Sequence, residues 1–238
     1  MIHFYSHYDP QDPEAVRCCA FAKQTWDKIG WIQRPVLMEE LPRLFTLDNR
    51  AIPFVRDVFD IGTRDVNDEE ICVYTNLDIQ IRSDTDKIIT STLNKLDACY
   101  CFRRDFPPGQ IKPIPDHSYH TGHNYCGSDM YAFKAKWWRA NRTIMPDMLI
   151  AHELWDAILR HLVDMTHVGE CTGLLDLCAH EKNGDSWWEK PQNRYRLRGQ
   201  IHNLTHGVRW LKAHGFNPAH HGVPNHFGRM HISGGGNL

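Results

Sequence analysis

The sequence has no Cys-x-x-Cys pair and no His-Glu-x-x-His, although it carries 8 cysteines and 16 histidines. The first absence removes the usual zinc-knuckle spacing, and the second removes the helical histidine pair that presets a catalytic zinc. The histidine groups that do occur, His117, His120 and His123 and then His220, His221, His226 and His231, fall in stretches without helical period, so nothing fixes a tetrahedral site in advance. Positive net charge is missing too. A formal balance of −2 argues against a dedicated, sequence-independent binder of phosphate chains. No run approaches the roughly 18 apolar residues of a membrane span, and the opening Met1-Ile2-His3-Phe4-Tyr5-Ser6-His7 has no basic region ahead of an apolar one. A cytoplasmic location is therefore expected. In a reducing compartment the thiols remain free core residues, and the sequons at Asn141 and Asn203 stay unmodified. Internal repeats are lacking as well.

What is present fits one α/β domain over 1–238, with a His- and Gly-rich tail from about 217. Ile2 to Tyr5 reads as a strand. Asp12-Pro13 then supplies an N-cap and a first-turn proline for a helix to about Lys28, its apolar stripe read as Val16, Cys19, Ala20 and Trp26. Trp31 to Met38 reads as a second strand, and Ile52 to Phe59 as a short helix. Ile71-Cys72-Val73-Tyr74-Thr75 is an unbroken apolar and β-branched run, as in a strand buried on both faces. After it, Ser83 is expected to cap a helix running through Ile88, Ile89, Leu93 and Leu96, and Ala98 to Phe102 forms the next strand. Strand, helix, strand implies a right-handed crossover and a Rossmann-like, mostly parallel sheet flanked by helices. Pro107 to Gly127 is expected to be a loop overhanging the site, Met130 to Phe133 a strand, and Leu154 to Met165 an amphipathic helix. Leu174 to Ala179 is read as a short buried segment, and Ile201, Leu204, Val208 and Leu211 mark a last helix ending at Gly215.

In open α/β sheets ligands collect beyond the carboxyl ends of strands, and Asn76-Leu77-Asp78 stands at that end of the most buried-looking one. A carboxylate there can hold a hard divalent cation, and the cation can neutralise a departing diphosphate; equally, such an aspartate can cap the turn that follows. Tyr74-Thr75-Asn76-Leu77-Asp78-Ile79 resembles the strand and Asp-x-Asp signature of GT-A nucleotide-diphospho-sugar transferases, with Asn in the first Asp position. Gly127-Ser128-Asp129-Met130-Tyr131-Ala132-Phe133 and Pro146 to Asp156 are similar to two later segments of small bacterial and viral members, and the succession covers roughly 1–212.

The resemblance implies a GT-A-like fold and transfer of a sugar from a nucleotide-diphosphate donor, a UDP-sugar first, to a hydroxyl acceptor, with Mn²⁺ or Mg²⁺ assistance; the Asn leaves two outcomes open, weaker metal binding and metal-independent turnover. It implies donor contacts from Phe4, Tyr5, Ser6, His7, Asn76 and Asp78, and metal contacts from Asp78, Asn76 and His180, with His226 as second choice. Asp129, Glu153 and Asp156 are the candidate catalytic acids; each can also be a turn former or a helix-start acid. Lys134 to Arg142, with Trp137, Trp138 and Arg139, has the composition of an acceptor platform, including a nucleic-acid one carrying a hydroxylated base, and Arg194 to Arg198 adds a second basic stretch. The bland reading of that segment is a buried tryptophan on a solvated turn. A non-catalytic nucleotide-binding domain, or a metal-dependent hydrolase on the same sheet, is the third reading.

Overall fold

The computed structural model describes residues 1–10, 12–47, 50–150, 152–182 and 194–221. In chain order the strands are β1 (Ile2–Ser6), β2 (Ile32–Val36), β3 (Leu44–Leu47), β4 (Arg50–Pro53), β5 (Ile71–Thr75), β6 (Ile79–Ile81), β7 (Ala98–Phe106), β8 (His123–Lys134) and β9 (Gly173–Glu181). The helices are α1 (Pro13–Ile29), α2 (Val55–Gly62), α3 (Thr85–Leu93), α4 (Ala135–Asn141), α5 (Trp155–Thr166) and α6 (Arg194–Ala213). One sheet has the order β2-β1-β5-β8-β7-β9-β6, and β3 and β4 make a separate antiparallel hairpin. Strands β1, β2, β5, β7 and β9 share one direction, whereas β8 runs against both its neighbours and β6 against β9. The protein is thus mixed α/β, with a mostly parallel sheet flanked by helices.

Period-two alternation in β1 feeds a core on each face of the sheet. Phe4 points to one side, where its ring meets Phe59, Tyr74 and Phe133, and α2, α4, α5 and α6 cover that face. His3 and Tyr5 point to the other side and pack on Trp26, where α1 and α3 lie. Burial keeps His3 neutral by pulling its pKa down to about 3, and its Nε2 lies 2.8 Å from the Thr75 hydroxyl.

The Asp12 carboxylate accepts from the amides of Glu14 and Ala15, so the expected cap of α1 is present. Its buried face differs from the expected stripe: Cys18, Ala22, Thr25 and Trp26 point inward, and Val16 is exposed. Trp26 decides the rotation, because its indole N–H donates to the carbonyl of Ile79 across the sheet edge.

Three further expectations are corrected. Ser83 does not cap α3; its amide and hydroxyl both bond the Asp116 carboxylate, and the cap residue Asp84 is held by Arg82. The unit β5-α3-β7 does not set its two strands side by side, because β8 lies between them and bonds both. Residues 107–127 are not a loop over the cleft. A 3-10 turn at Asp116–Thr121 buries Tyr119 against β9, the Ile114 amide donates to the Gln80 side chain, and β8 begins at His123. Polar side chains on the sheet edge recruited this segment, a signal invisible to periodicity.

The cysteines whose side chains are described, Cys18, Cys19, Cys72, Cys99, Cys101, Cys171 and Cys178, are free thiols. Among the described residues no helix is long and apolar enough to cross a membrane.

Candidate active site

The β1-α1-β2 crossover puts α1 on one face of the sheet, and the return to β5 puts α2 on the other, so a crevice opens where the chain leaves the ends of β1, β2 and β5. A cleft of about 990 Å³ occupies it. Ser6 ends β1 and His7 to Pro10 follow it, Leu37 to Glu39 follow β2, and Asn76 to Asp78 follow β5; the β4 residues Ala51 to Pro53 form a wall, and Ile150 and His152 lead into α5.

Of the residues expected at a donor, Ser6, His7, Asn76 and Asp78 line this cleft. Phe4 and Tyr5 do not, because the alternation of β1 commits both to the two cores.

Asn76 is held firmly. The Tyr74 hydroxyl donates to its Oδ1 at 2.8 Å, and its Nδ2 donates to Asp129 Oδ1 at 2.6 Å, which fixes which way the amide points. Asp129 also accepts from Arg103 at 2.7 Å, and the same guanidinium donates to Asp105 at 2.9 Å while lying 3.7 Å from the centre of the Tyr125 ring. His180 closes the chain of charges: its Nε2 is 3.3 Å from Asp78, and its Nδ1 is 3.5 Å from Asp105, near enough for charge attraction but long for a hydrogen bond. The register of β6 on β9 sets this pairing, with His180 opposite Ile79.

Burial works against the charged forms of these groups, and their neighbours outweigh it. His180, which burial would pull down, is raised to about 9 by Asp78 and Asp105. Burial likewise opposes ionisation of Asp78, yet His180 and Arg103 hold its carboxyl below the ordinary range, and the same two cations lower Asp105. Arg103 is raised above its ordinary value by Asp129 and Asp105 despite burial. At neutral pH the floor of the cleft is therefore an ion-paired lattice in which Asp78 alone of its carboxylates reaches the cleft surface.

The remaining expected residues fall outside the cleft lining. Asp129 is buried and committed to Asn76 and Arg103, so it positions other groups and does not face solvent. Asp156 accepts from the Ser128 amide, and burial followed by the Asp129 charge raises its pKa; Gly127 lets it approach, because a Cβ there would stand 2.7 Å from its carboxylate. Glu153 directly follows the lining residue His152, and among the described residues its carboxylate has no hydrogen bond or ion pair. Leu154 after it sits at φ 72°, a left-handed conformation that costs a leucine about 1–2 kcal/mol and is held by its buried side chain.

Trp137 and Trp138 are in the core, with N–H groups donating to Thr166 and Asp60, and Arg139 is spent on Asp68 and the carbonyls of Thr63 and Val66. Neither indole has a face left for stacking on an acceptor, whereas Arg139 stays partly exposed. His226 lies outside the described residues.

The sequence reading missed Arg103 and Asp105. Their i, i+2 spacing puts both on one face of a strand, but Arg103-Arg104-Asp105 is three successive charges, and nothing local says that β7 continues through them.

Among the described residues, no group of three His, Cys, Asp or Glu side chains is placed to hold a metal ion. Asp78 and His180 do present two donors 3.3 Å apart, a separation that two adjacent ligands of one cation can adopt. The carboxylate suits a hard cation that takes its other ligands from substrate phosphates and water, whereas the imidazole does not suit Mg²⁺ and His180 itself does not line the cleft.

Comparison with known proteins finds no family model that matches the chain and no curated protein that aligns with it.

Proposed function

We propose that the protein is a GT-A-like glycosyltransferase that moves a sugar from a nucleotide-diphosphate donor to a hydroxyl acceptor within this cleft. The observation that carries the reading is that Ser6, His7, Asn76 and Asp78, from the ends of two adjacent parallel strands, line one crevice of a size suited to a nucleotide sugar. In the reaction the bond between the anomeric carbon and the diphosphate oxygen breaks with its electron pair on the diphosphate. The acceptor oxygen bonds to that carbon and gives up its proton. Glu153, the one expected acid without an internal partner among the described residues, takes the proton. Asn76 and Asp78 orient the donor, and the lattice behind them keeps Asp78 ionised and fixed.

If Mn²⁺ or Mg²⁺ takes part, Asp78 holds it, with deprotonated His180 added for Mn²⁺ alone, and it supplies charge neutralisation to the departing diphosphate. His180 is protonated at neutral pH, so turnover without metal is also consistent, with the imidazolium–aspartate pair left intact.

Hydrolysis of UDP-sugars in the absence of acceptor, with and without Mn²⁺, tests the assignment. Wild type is expected to release UDP, and Asp78→Asn is expected to reduce release by at least tenfold while keeping the fold. Undiminished turnover in that variant contradicts the reading.

A further inference from the structure

Helix α6 carries Arg194, Arg196, Arg198, Arg209 and Lys212 and not one acidic residue, in a chain whose formal net charge is −2. Arg198, Arg209 and Lys212 fall at i, i+11 and i+14 on one side of the helix; between them His202 packs on Phe45 and Phe54 with its Nε2 2.8 Å from the Asp147 carbonyl, and Thr205 donates to the Ile201 carbonyl. The opposite face is inward: Asn203, Leu204, Gly207 and Leu211 are buried. Arg198, Arg209 and Lys212 are exposed and, among the described residues, have neither a hydrogen bond nor an ion pair. Arginines elsewhere are spent internally. Arg17 clasps Glu181, Arg43 joins Asp57 to Asp147, Arg82 holds Asp84, Arg104 holds Asp176 and Arg139 holds Asp68. The side chains of the exposed Lys87, Lys95 and Lys112 likewise have no hydrogen bond or ion pair among the described residues; α6 differs in setting three such cations on one side of one helix.

The helix is anchored to the cleft. Asn203 bonds the backbone of Leu149 in both directions and donates to the Glu153 carbonyl, and Gly199 lies flat against the His152 ring, where a Cβ would stand 2.5 Å from it. Arg198 therefore sits one residue from a contact with the cleft lining, and Arg209 and Lys212 follow along the helix away from the cleft's edge.

We infer that this face of α6 binds a nucleic-acid backbone, with phosphates on Arg198, Arg209 and Lys212, and delivers the strand to the cleft as the acceptor-bearing partner. Charge complementarity and ligand geometry support it. The planar guanidinium fork matches phosphate oxygens bidentately, and the roughly 21 Å from Arg198 to Lys212, at about 1.5 Å per residue, spans several phosphates along a strand. The role of the strand as acceptor rests on the transfer reaction proposed above, whereas the binding itself does not.

The test is fluorescence anisotropy of the full chain with labelled 20-nucleotide single-stranded and duplex DNA across a salt series, for wild type and Arg198→Ala/Arg209→Ala/Lys212→Ala. Thermal shifts with UDP-sugars are recorded on the same samples. Wild type is expected to bind with a log–log salt slope of about −2 to −3, at roughly 0.7–0.9 per phosphate contact. The triple variant should lose at least tenfold in affinity and about 2 in slope, with its nucleotide-sugar shift unchanged. Equal DNA binding by wild type and variant overturns the inference, as does binding of a sulfated glycan without binding of DNA. A DNA effect without any nucleotide-sugar shift sinks the transfer reading and leaves the surface standing; the reverse pattern removes the surface alone.

Discussion

Arg103 holds the lattice under the cleft together, because it is the shared cation of Asp105 and Asp129 and is itself mostly buried. Removing it strands two buried carboxylates, a loss of about 3–5 kcal/mol by analogy with broken buried ion pairs. Arg103→Met should therefore destabilise the protein by that amount at pH 7 in urea unfolding, and by less at pH 4, where protonation of Asp105, no longer held down by Arg103, relieves part of the stranded charge. An equal loss at both pH values would mean that packing, not charge, is the role of Arg103. His180 sets the alkaline side. Its folded pKa is raised from 6.5 to about 9, so its contribution to stability is fully present below pH 6.5 and is lost as pH rises through about 9. Asp78, whose folded value is lowered, behaves oppositely: its contribution is present above the ordinary carboxylate value of 3.8 and disappears as pH falls through the depressed one. Metal-free protein should lose stability between pH 6.5 and 9, and His180→Gln should flatten that slope. Because a cation must displace the His180 proton, Mn²⁺ affinity should climb over the same range with release of about one proton, measurable by calorimetry in buffers of different ionisation enthalpy.

At the scale of elements, contact between α2 and β1 depends on a missing side chain. A Cβ at Gly62 would stand 2.2 Å from the Phe4 ring, which is itself wedged among Phe59, Tyr74 and Phe133. Gly62→Ala should cost about 1–3 kcal/mol through overpacking, read as a lowered urea midpoint with an unchanged slope. Elements built on strong local signals were legible: β5 from its unbroken apolar run, α1 from Asp12 and Pro13, and α5 from its helical period. Those decided by distant partners were not. The β3–β4 hairpin has Asp48-Asn49 as its sole local turn cue, β6 is three residues long, and β8 has its place fixed by two neighbours. The same divide runs through the site. Asp78 was singled out by its place at a strand end, His180 only through the resemblance, and Asp129 from its Gly-Ser-Asp segment; that Asp129 and Asp105 share Arg103 is decided by the sheet pairing and was not legible. Trp137 and Trp138 looked like a stacking platform since composition does not say which face of α4 is buried.

Across the whole molecule, a layered sheet with a helical cover on each face leaves a large crevice at the ends of β1, β2 and β5, and Asp78 in its lining is ion-paired to the charge lattice behind it. Function then depends on whether that carboxylate meets a nucleoside diphosphate. Isothermal titration of wild-type protein and Asp78→Asn with UDP, in the presence and absence of Mn²⁺, measures this directly. The account predicts saturable 1:1 binding to wild type and at least a tenfold weakening in the variant, with thermal stability otherwise retained. Equal affinities for the two proteins, or no heat of binding for any nucleoside diphosphate with wild type, would contradict it.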